Sequence, residues 1–145
     1  MTEITEIHVL NGPNLGRLGS REPEVYGTGS YADLVAACVA AGREVGVEVV
    51  VRQSDDEATL IGWLHQAADA HAPVVLNAAA LTHYSYALRD AVALHPDGVI
   101  EVHLSNIAAR EEFRHVSVIS PVVRGVITGL GVEGYRAAIR VLASR

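Results

Sequence analysis

The sequence predicts an α/β fold, a three-layer α/β/α sandwich with helices on both faces of a five-stranded parallel sheet. Three observations predict it. Apolar runs short enough for buried strands alternate with longer stretches of helical period, the pattern of repeated βα units. The chain of 145 residues is 50% hydrophobic, long enough for one domain with a real core and too short to favour two. No linker, internal repeat or low-complexity segment interrupts it, so the expectation is a single domain over 1–145.

The first strand begins at Ile7 and runs into "LNGPN", where a long loop rich in glycine extends to Gly27. Ser30 with Asp33 has capping-box spacing, and the helix that follows places Leu34, Val35, Cys38 and Val39 on one face until Gly46 stops it. A second strand starts at Val47 and ends in "RQSDDE", where Ser54 and Asp55 are suited to cap the next helix. The third strand starts at Pro73 and ends at "LNAAALTHYS", with Ser85 heading a short helix. A fourth strand starts at Gly98 and ends in "EVHLSN", and a fifth starts at Val122. Val132 to Ser144 forms the last helix, with Ala137, Ala138, Val141 and Leu142 on its apolar face.

For a short parallel sheet covered on both sides the expected strand order is flavodoxin-like, in which ligands bind beyond the carboxyl ends of the strands at the switch between the first and third. Those ends carry Asn77, His83, His103 and Ser105, which should converge with the loop from Asn11 to Gly27 over one crevice.

Composition narrows the chemistry. Net charge is −6 and the sequence pI is about 5.6, so nothing recommends nucleic acid or an anionic membrane as a partner. All 11 basic residues are arginine, which excludes an imine between a lysine and a carbonyl substrate. The lone Cys38 sits in an apolar helical pattern and reads as a buried, inert thiol. The start "MTEITEIHVL" lacks the basic and apolar regions of a leader, and no apolar run approaches a membrane span, so a cytoplasmic protein is expected.

The loop after the first strand has neither the lysine of a P-loop nor the spacing of a dinucleotide fold. Its stretch "SREPEVYG" sets Arg21 five residues before Tyr26. A phenol becomes a base near neutrality only when a cation favours the phenolate, and Arg21 is placed to supply it. The alternative is a tyrosine packed over its own helix with a solvated arginine. Glu101 and His103 stand two apart, hence on one face of the fourth strand, where the carboxylate can fix the imidazole's tautomer. His83 taken alone reads as a surface or helix-capping histidine. A metal bound by Glu101, His103 and His83 matches no zinc or iron spacing. His8, inside a strand, reads as structural. Arg110 and Arg114 face one way if their segment is helical, ready for a carboxylate or phosphate, or for ion pairs with Glu111 or Glu112.

Five collinear stretches, "LNGPNLGRLGSREPEVYG", "RQSDDEATLIGWLHQA", "LNAAALTHYSYALRDA", "IEVHLSNIAAREEFRHVS" and "GVITGLGVEGY", span essentially the whole chain. In order and spacing they resemble the type II 3-dehydroquinate dehydratases. The resemblance implies an anti elimination of water from 3-dehydroquinate through an enolate, in the shikimate pathway, with no cofactor and no metal. It implies Tyr26 as base, Arg21 as its activator, Asn14 holding a water against the enolate oxygen, and His103, oriented by Glu101, as the acid. It implies substrate binding by Asn77, His83, Asp90 and Arg114, with the backbone N–H groups of Leu104 and Ser105 on the carboxylate and Arg110 in support. A homododecamer built from trimers is implied too, with Asp90 entering the neighbouring subunit's site. Two positions depart from the pattern: Ala79 stands where relatives carry glycine, which predicts a strained or crowded turn, and Ala108 where they often carry histidine.

Overall fold

The computed structural model describes residues 3–20 and 29–144. Five parallel strands form one sheet: β1 (Glu6–Asn11), β2 (Glu48–Gln53), β3 (Val74–Asn77), β4 (Val99–His103) and β5 (Gly125–Thr128), in the order β2-β1-β3-β4-β5. This is the flavodoxin-like arrangement, and β1 and β3 flank the switch point. Among the described residues four α-helices accompany it: α1 (Tyr31–Glu44), α2 (Glu57–Asp69), α3 (Tyr86–Ala93) and α4 (Val132–Ala143).

Side-chain alternation along the strands divides the core in two. Ile7 and Val9 of β1, Val75 of β3, and Ile100 and Val102 of β4 pack with Leu34 and Cys38 of α1 and with Tyr135, Ile139 and Leu142 of α4. On the opposite face Leu10, Val74, Leu76 and Val99 pack with Leu60 and Leu64 of α2 and Leu88 and Val92 of α3. These side chains are essentially buried, each worth roughly 1.5–3 kcal/mol of transfer free energy, so two-sided burial accounts for the long apolar runs of the central strands.

The helix starts follow local chemistry, with corrections. Ser30 and Asp33 form a reciprocal capping box on α1, and Ser85 caps α3 by accepting from Leu88 N at 3.0 Å. The cap of α2 is Asp56, not Ser54 or Asp55: its carboxylate accepts from Thr59 N, whereas Ser54 Oγ accepts from Asp56 N and Asp55 is drawn to the β1 loop. The buried face of α1 is Leu34, Ala37, Cys38 and Ala41, with Val35 and Val39 only half-buried. On α4 the expected face is also turned, because Tyr135 is pulled inward by polar partners under the sheet's end. Tyr135, Ala138, Ile139 and Leu142 are buried, while Ala137 is half-buried and Val141 is 42% exposed.

The fifth strand begins at Gly125 rather than Val122. Ser120–Val122 is a 3-10 turn containing Pro121, and the chain joins the sheet only where Arg124 N donates to Val99 O. Cys38 is fully buried, and burial pushes its thiol up to about 12, which fits an inert core residue. His8 is buried in β1 and bonds Glu6. Among the described residues no helix is long and apolar enough to cross a membrane.

Candidate active site

Beyond the carboxyl ends of β1, β3 and β4 lies a pocket lined by Asn14, Asn77, Ala79, His83, His103 and Ser105, with Leu104, Ile107, Arg110 and Arg114 closing one side. Asn77, His83, His103 and Ser105 were expected to converge with the loop after β1 over one crevice, and they line this pocket together with Asn14 of that loop; Leu104 and Arg114 line it too. Arg21 and Tyr26 lie outside the described residues.

Strand alternation sets the two sides of this site. Asn11 and Asn77 are register partners at the ends of β1 and β3 and share the face of Val9 and Val75, toward α4. Tyr135 rises between them: its hydroxyl donates to Asn11 Oδ1 at 2.7 Å and accepts from Asn77 Nδ2 at 2.8 Å. Asn77 Oδ1 accepts from Ala79 N at 3.1 Å, so the amide of Asn77 is held from both ends with one N–H left over. Burial keeps the Tyr135 phenol well above its ordinary pKa, hence neutral and able to donate.

Glu101 and His103 belong to the opposite face of β4. His103 Nε2 donates to Glu101 Oε2 at 2.6 Å, and the pair is buried, with Glu101 1% and His103 5% exposed. The bond fixes the proton on Nε2 and leaves Nδ1 for a ligand. Burial opposes charge on Glu101, yet hydrogen bonds from His103, Ser120 and Ser117 outweigh it and hold the carboxyl below its usual range. It is a carboxylate at neutral pH.

His83 follows a 3-10 turn (Ala79–His83) and stacks on His103, with ring centroids 6.5 Å apart and planes at 17°. Its Nδ1 donates to the Val116 carbonyl at 2.8 Å, leaving Nε2 as an acceptor. Desolvation lowers its pKa, helped by the nearby His103 and Arg114, so the neutral ring prevails near pH 7. Phe113 meets the same ring edge to face at 5.7 Å.

Arg110 follows the 3-10 turn Ile107–Ala109 and Arg114 lies in a second one, Glu112–His115, so they reach the pocket from separate turns and not from the single helix considered for their spacing. Arg114 also chelates Glu111 at 3.1 and 3.3 Å and lies over Phe113, which fixes its fork while Glu111 is held down to about 2 by Arg114. Arg114 thus lines the pocket and forms the ion pair with Glu111 that the sequence offered as the alternative to anion binding. The carbonyls of His103 and Leu104 accept from Gly129 and Gly131, which ties down the peptides at the end of β4. Asp90 is exposed on α3 and is not among the pocket's lining residues.

Asn14 takes a left-handed conformation, φ 71°, and its N–H donates to Asp55 Oδ1 at 2.8 Å. Gln53 Nε2 braces the same turn through Gly12 O and Asp55 Oδ1. Gly12 is required there, because a Cβ would lie 2.7 Å from the Ala78 carbonyl oxygen. Ala79 has φ 52°, the region that glycine tolerates and alanine resists, so the strain expected from this departure is present. Among the described residues no group of three His, Cys, Asp or Glu could hold a metal ion.

Sequence reasoning missed Asn11, Tyr135, Asp55, Gln53, Ser117 and Ser120 as supports of the site. Only Asn11 gave a signal, since it ends β1 as Asn77 ends β3. The others reach the pocket from elements distant in sequence.

The family model described as Dehydroquinase class II matches residues 5–143. A 3-dehydroquinate dehydratase of Salinispora tropica is 66% identical over 139 residues, covering 96% of this chain and 97% of the relative. Another, of Mycobacterium tuberculosis, is 58% identical over 143 residues, covering 99% and 97%. The crystal structure of a type II dehydroquinase from Propionibacterium acnes superposes with a TM-score of 0.95 at 54% identity, covering 99% of this chain and 100% of the other. With the matched fold, the matched length and the His103–Glu101 pair at the end of β4, this chain belongs to the class II dehydroquinase family.

Proposed function

We infer that this chain is a 3-dehydroquinate dehydratase, a hydro-lyase of the shikimate pathway that eliminates water from 3-dehydroquinate, anti, to give 3-dehydroshikimate. The observation that carries the reading is the buried His103–Glu101 pair, whose histidine lines a pocket shared with two asparagines and two arginines, in a chain of this family.

The reaction removes a proton from the carbon beside the ketone and then expels the hydroxyl one carbon further on. Tyr26, with its phenolate favoured by Arg21, takes the proton; the C–H pair becomes the enolate. Asn14 holds a water against the enolate oxygen. When the enolate collapses, the C–O bond breaks and imidazolium His103 delivers its Nδ1 proton to the leaving hydroxyl, so water departs and the ring keeps its Nε2–H on Glu101. Neutral His83 accepts from a ring hydroxyl through Nε2, and Asn77 donates its remaining N–H to another. Arg114 adds charge to the wall opposite, with Arg110 beside it. The Leu104 and Ser105 N–H groups take the substrate carboxylate.

The assembly we propose is a homododecamer built from trimers, in the cytoplasm, with Asp90 completing a neighbour's site. Tyr84, Tyr86, Phe113 and Val116, all more than half exposed near the pocket's rim, support subunit contacts there. Light scattering on the purified protein tests the assembly. The chemistry is tested with 3-dehydroquinate deuterated stereospecifically beside the ketone. Loss of the deuteron on the face opposite the departing hydroxyl is expected, and loss from the same face contradicts the anti course.

A further inference from the structure

Glu101 is held by more than its histidine. The segment leaving the pocket rim folds back over it, so that Ser117 Oγ lies 3.2 and 3.1 Å from Oε1 and Oε2, and Ser120 Oγ lies 2.6 Å from Oε1. The direction of the first contact is fixed by what else Ser117 does. Its oxygen accepts from the N–H of Ile119 at 3.2 Å and of Ser120 at 2.9 Å. A hydroxyl has two lone pairs and one proton, so with both lone pairs taken the proton goes to the carboxylate. Among the described residues, His103 is the only ion-pair partner of Glu101, and no arginine shares the task. The carboxylate's charge is therefore met by one imidazole N–H and two serine hydroxyls.

We propose that Ser117 and Ser120 are positioning residues of the reaction, holding Glu101 as an anion in the one orientation that fixes the Nε2 proton of His103 and leaves Nδ1 to serve the leaving group. This rests on the general-acid role of His103 argued above. Burial alone would favour a neutral Glu101, which would withdraw the charge that stabilises the imidazolium and would free the ring to turn. Two hydroxyls supply the polarity without a competing cation. An arginine in their place would compete with His103 for the same oxygens.

Ser120→Ala is the cleaner probe, since Ser117 also organises its own turn. Ser120→Ala should lower kcat about 10-fold with KM for 3-dehydroquinate within about 2-fold, because the lost interaction acts on the acid and not on binding. Ser120→Thr, which keeps the hydroxyl, should recover most of the loss. In a Glu101→Gln background Ser120→Ala should add nothing further, since the serine acts through the carboxylate. An unchanged kcat in folded Ser120→Ala, or the same fold-loss with Glu101→Gln already present, would overturn the proposal. The ¹³C resonance of the Glu101 carboxyl gives a readout independent of turnover: it should titrate at higher pH in Ser120→Ala than in the parent. No upward displacement contradicts the proposal even if the parent protein fails to consume dehydroquinate, an outcome that would count against the function and not against this contact.

Discussion

The side-chain amide of Asn77 donates to the phenol of Tyr135 at 2.8 Å, and that phenol donates in turn to Asn11. One tyrosine from the last helix thus secures the ends of the two strands that flank the switch point. Tyr135→Phe keeps the ring in the core and removes only the oxygen, leaving an amide N–H and an amide carbonyl buried without a partner. Such a loss costs about 1–3 kcal/mol, so the urea midpoint should fall accordingly. KM for the substrate should rise as well, because Asn77 is freed to turn. A variant as stable as the parent would mean that water or a shifted side chain replaces the hydroxyl.

Ala79 holds φ 52° on the pocket wall, beside the Asn77 amide that binds its N–H. Ala79→Gly relieves the left-handed strain and should stabilise the fold by on the order of 0.5 kcal/mol once the greater freedom of glycine in the unfolded chain is counted. Ala79→Val should cost about 1–3 kcal/mol, since a β-branched residue resists that conformation more strongly. Thermal unfolding of the two variants checks both signs, and equal melting temperatures would refute the strain.

The pH dependence has a definite sign. His83 and His95 have pKa values below the ordinary 6.5, chiefly through desolvation, so their contribution to stability is complete above that value. It is lost as pH falls from about 6.5 through the lower folded values. Glu101 also lies below its ordinary value, so a second loss begins below about 4.5, as the carboxylate that accepts from His103, Ser117 and Ser120 takes up a proton. Urea midpoints at pH 8, 6 and 4 should decline in that order, and His83→Gln should flatten the first step. A midpoint that rises on acidification contradicts the assignment.

Much of this was legible in the sequence, for identifiable reasons. Strand and helix periods located all five strands to within a residue except β5, and the capping box of Ser30 and Asp33 was read correctly because both partners are local. The error at β5 came from Ser120–Val122, a 3-10 turn containing Pro121 that the apolar pattern alone reads as the start of the strand. The buried face of α4 was misread because Tyr135 turns inward to meet amides on β1 and β3, a contact no local pattern encodes. Residues carrying the proposed chemistry were found through strand ends and family resemblance. The shell that orients them was not, because orientation arises from long-range hydrogen bonds.

Asp90 is exposed on α3, outside the pocket of its own chain. If it serves a neighbour, His103→Ala and Asp90→Ala proteins, each impaired, should complement when dissociated, mixed and reassembled. Random pairing at equal ratio restores roughly a quarter of the sites, those taking His103 from one chain and Asp90 from the next. Properly reassembled oligomers that recover nothing would place each site within a single subunit.

In the proposed reaction the pocket at the ends of β1, β3 and β4 dehydrates 3-dehydroquinate with His103 as its acid. Its most direct test is the absorbance of the conjugated enone after 3-dehydroquinate is added to the purified protein, beside a folded His103→Ala control. A steady rise is expected with the parent protein and a loss of at least about 100-fold in the control. No rise with folded parent protein, or an undiminished rise in the control, would contradict it.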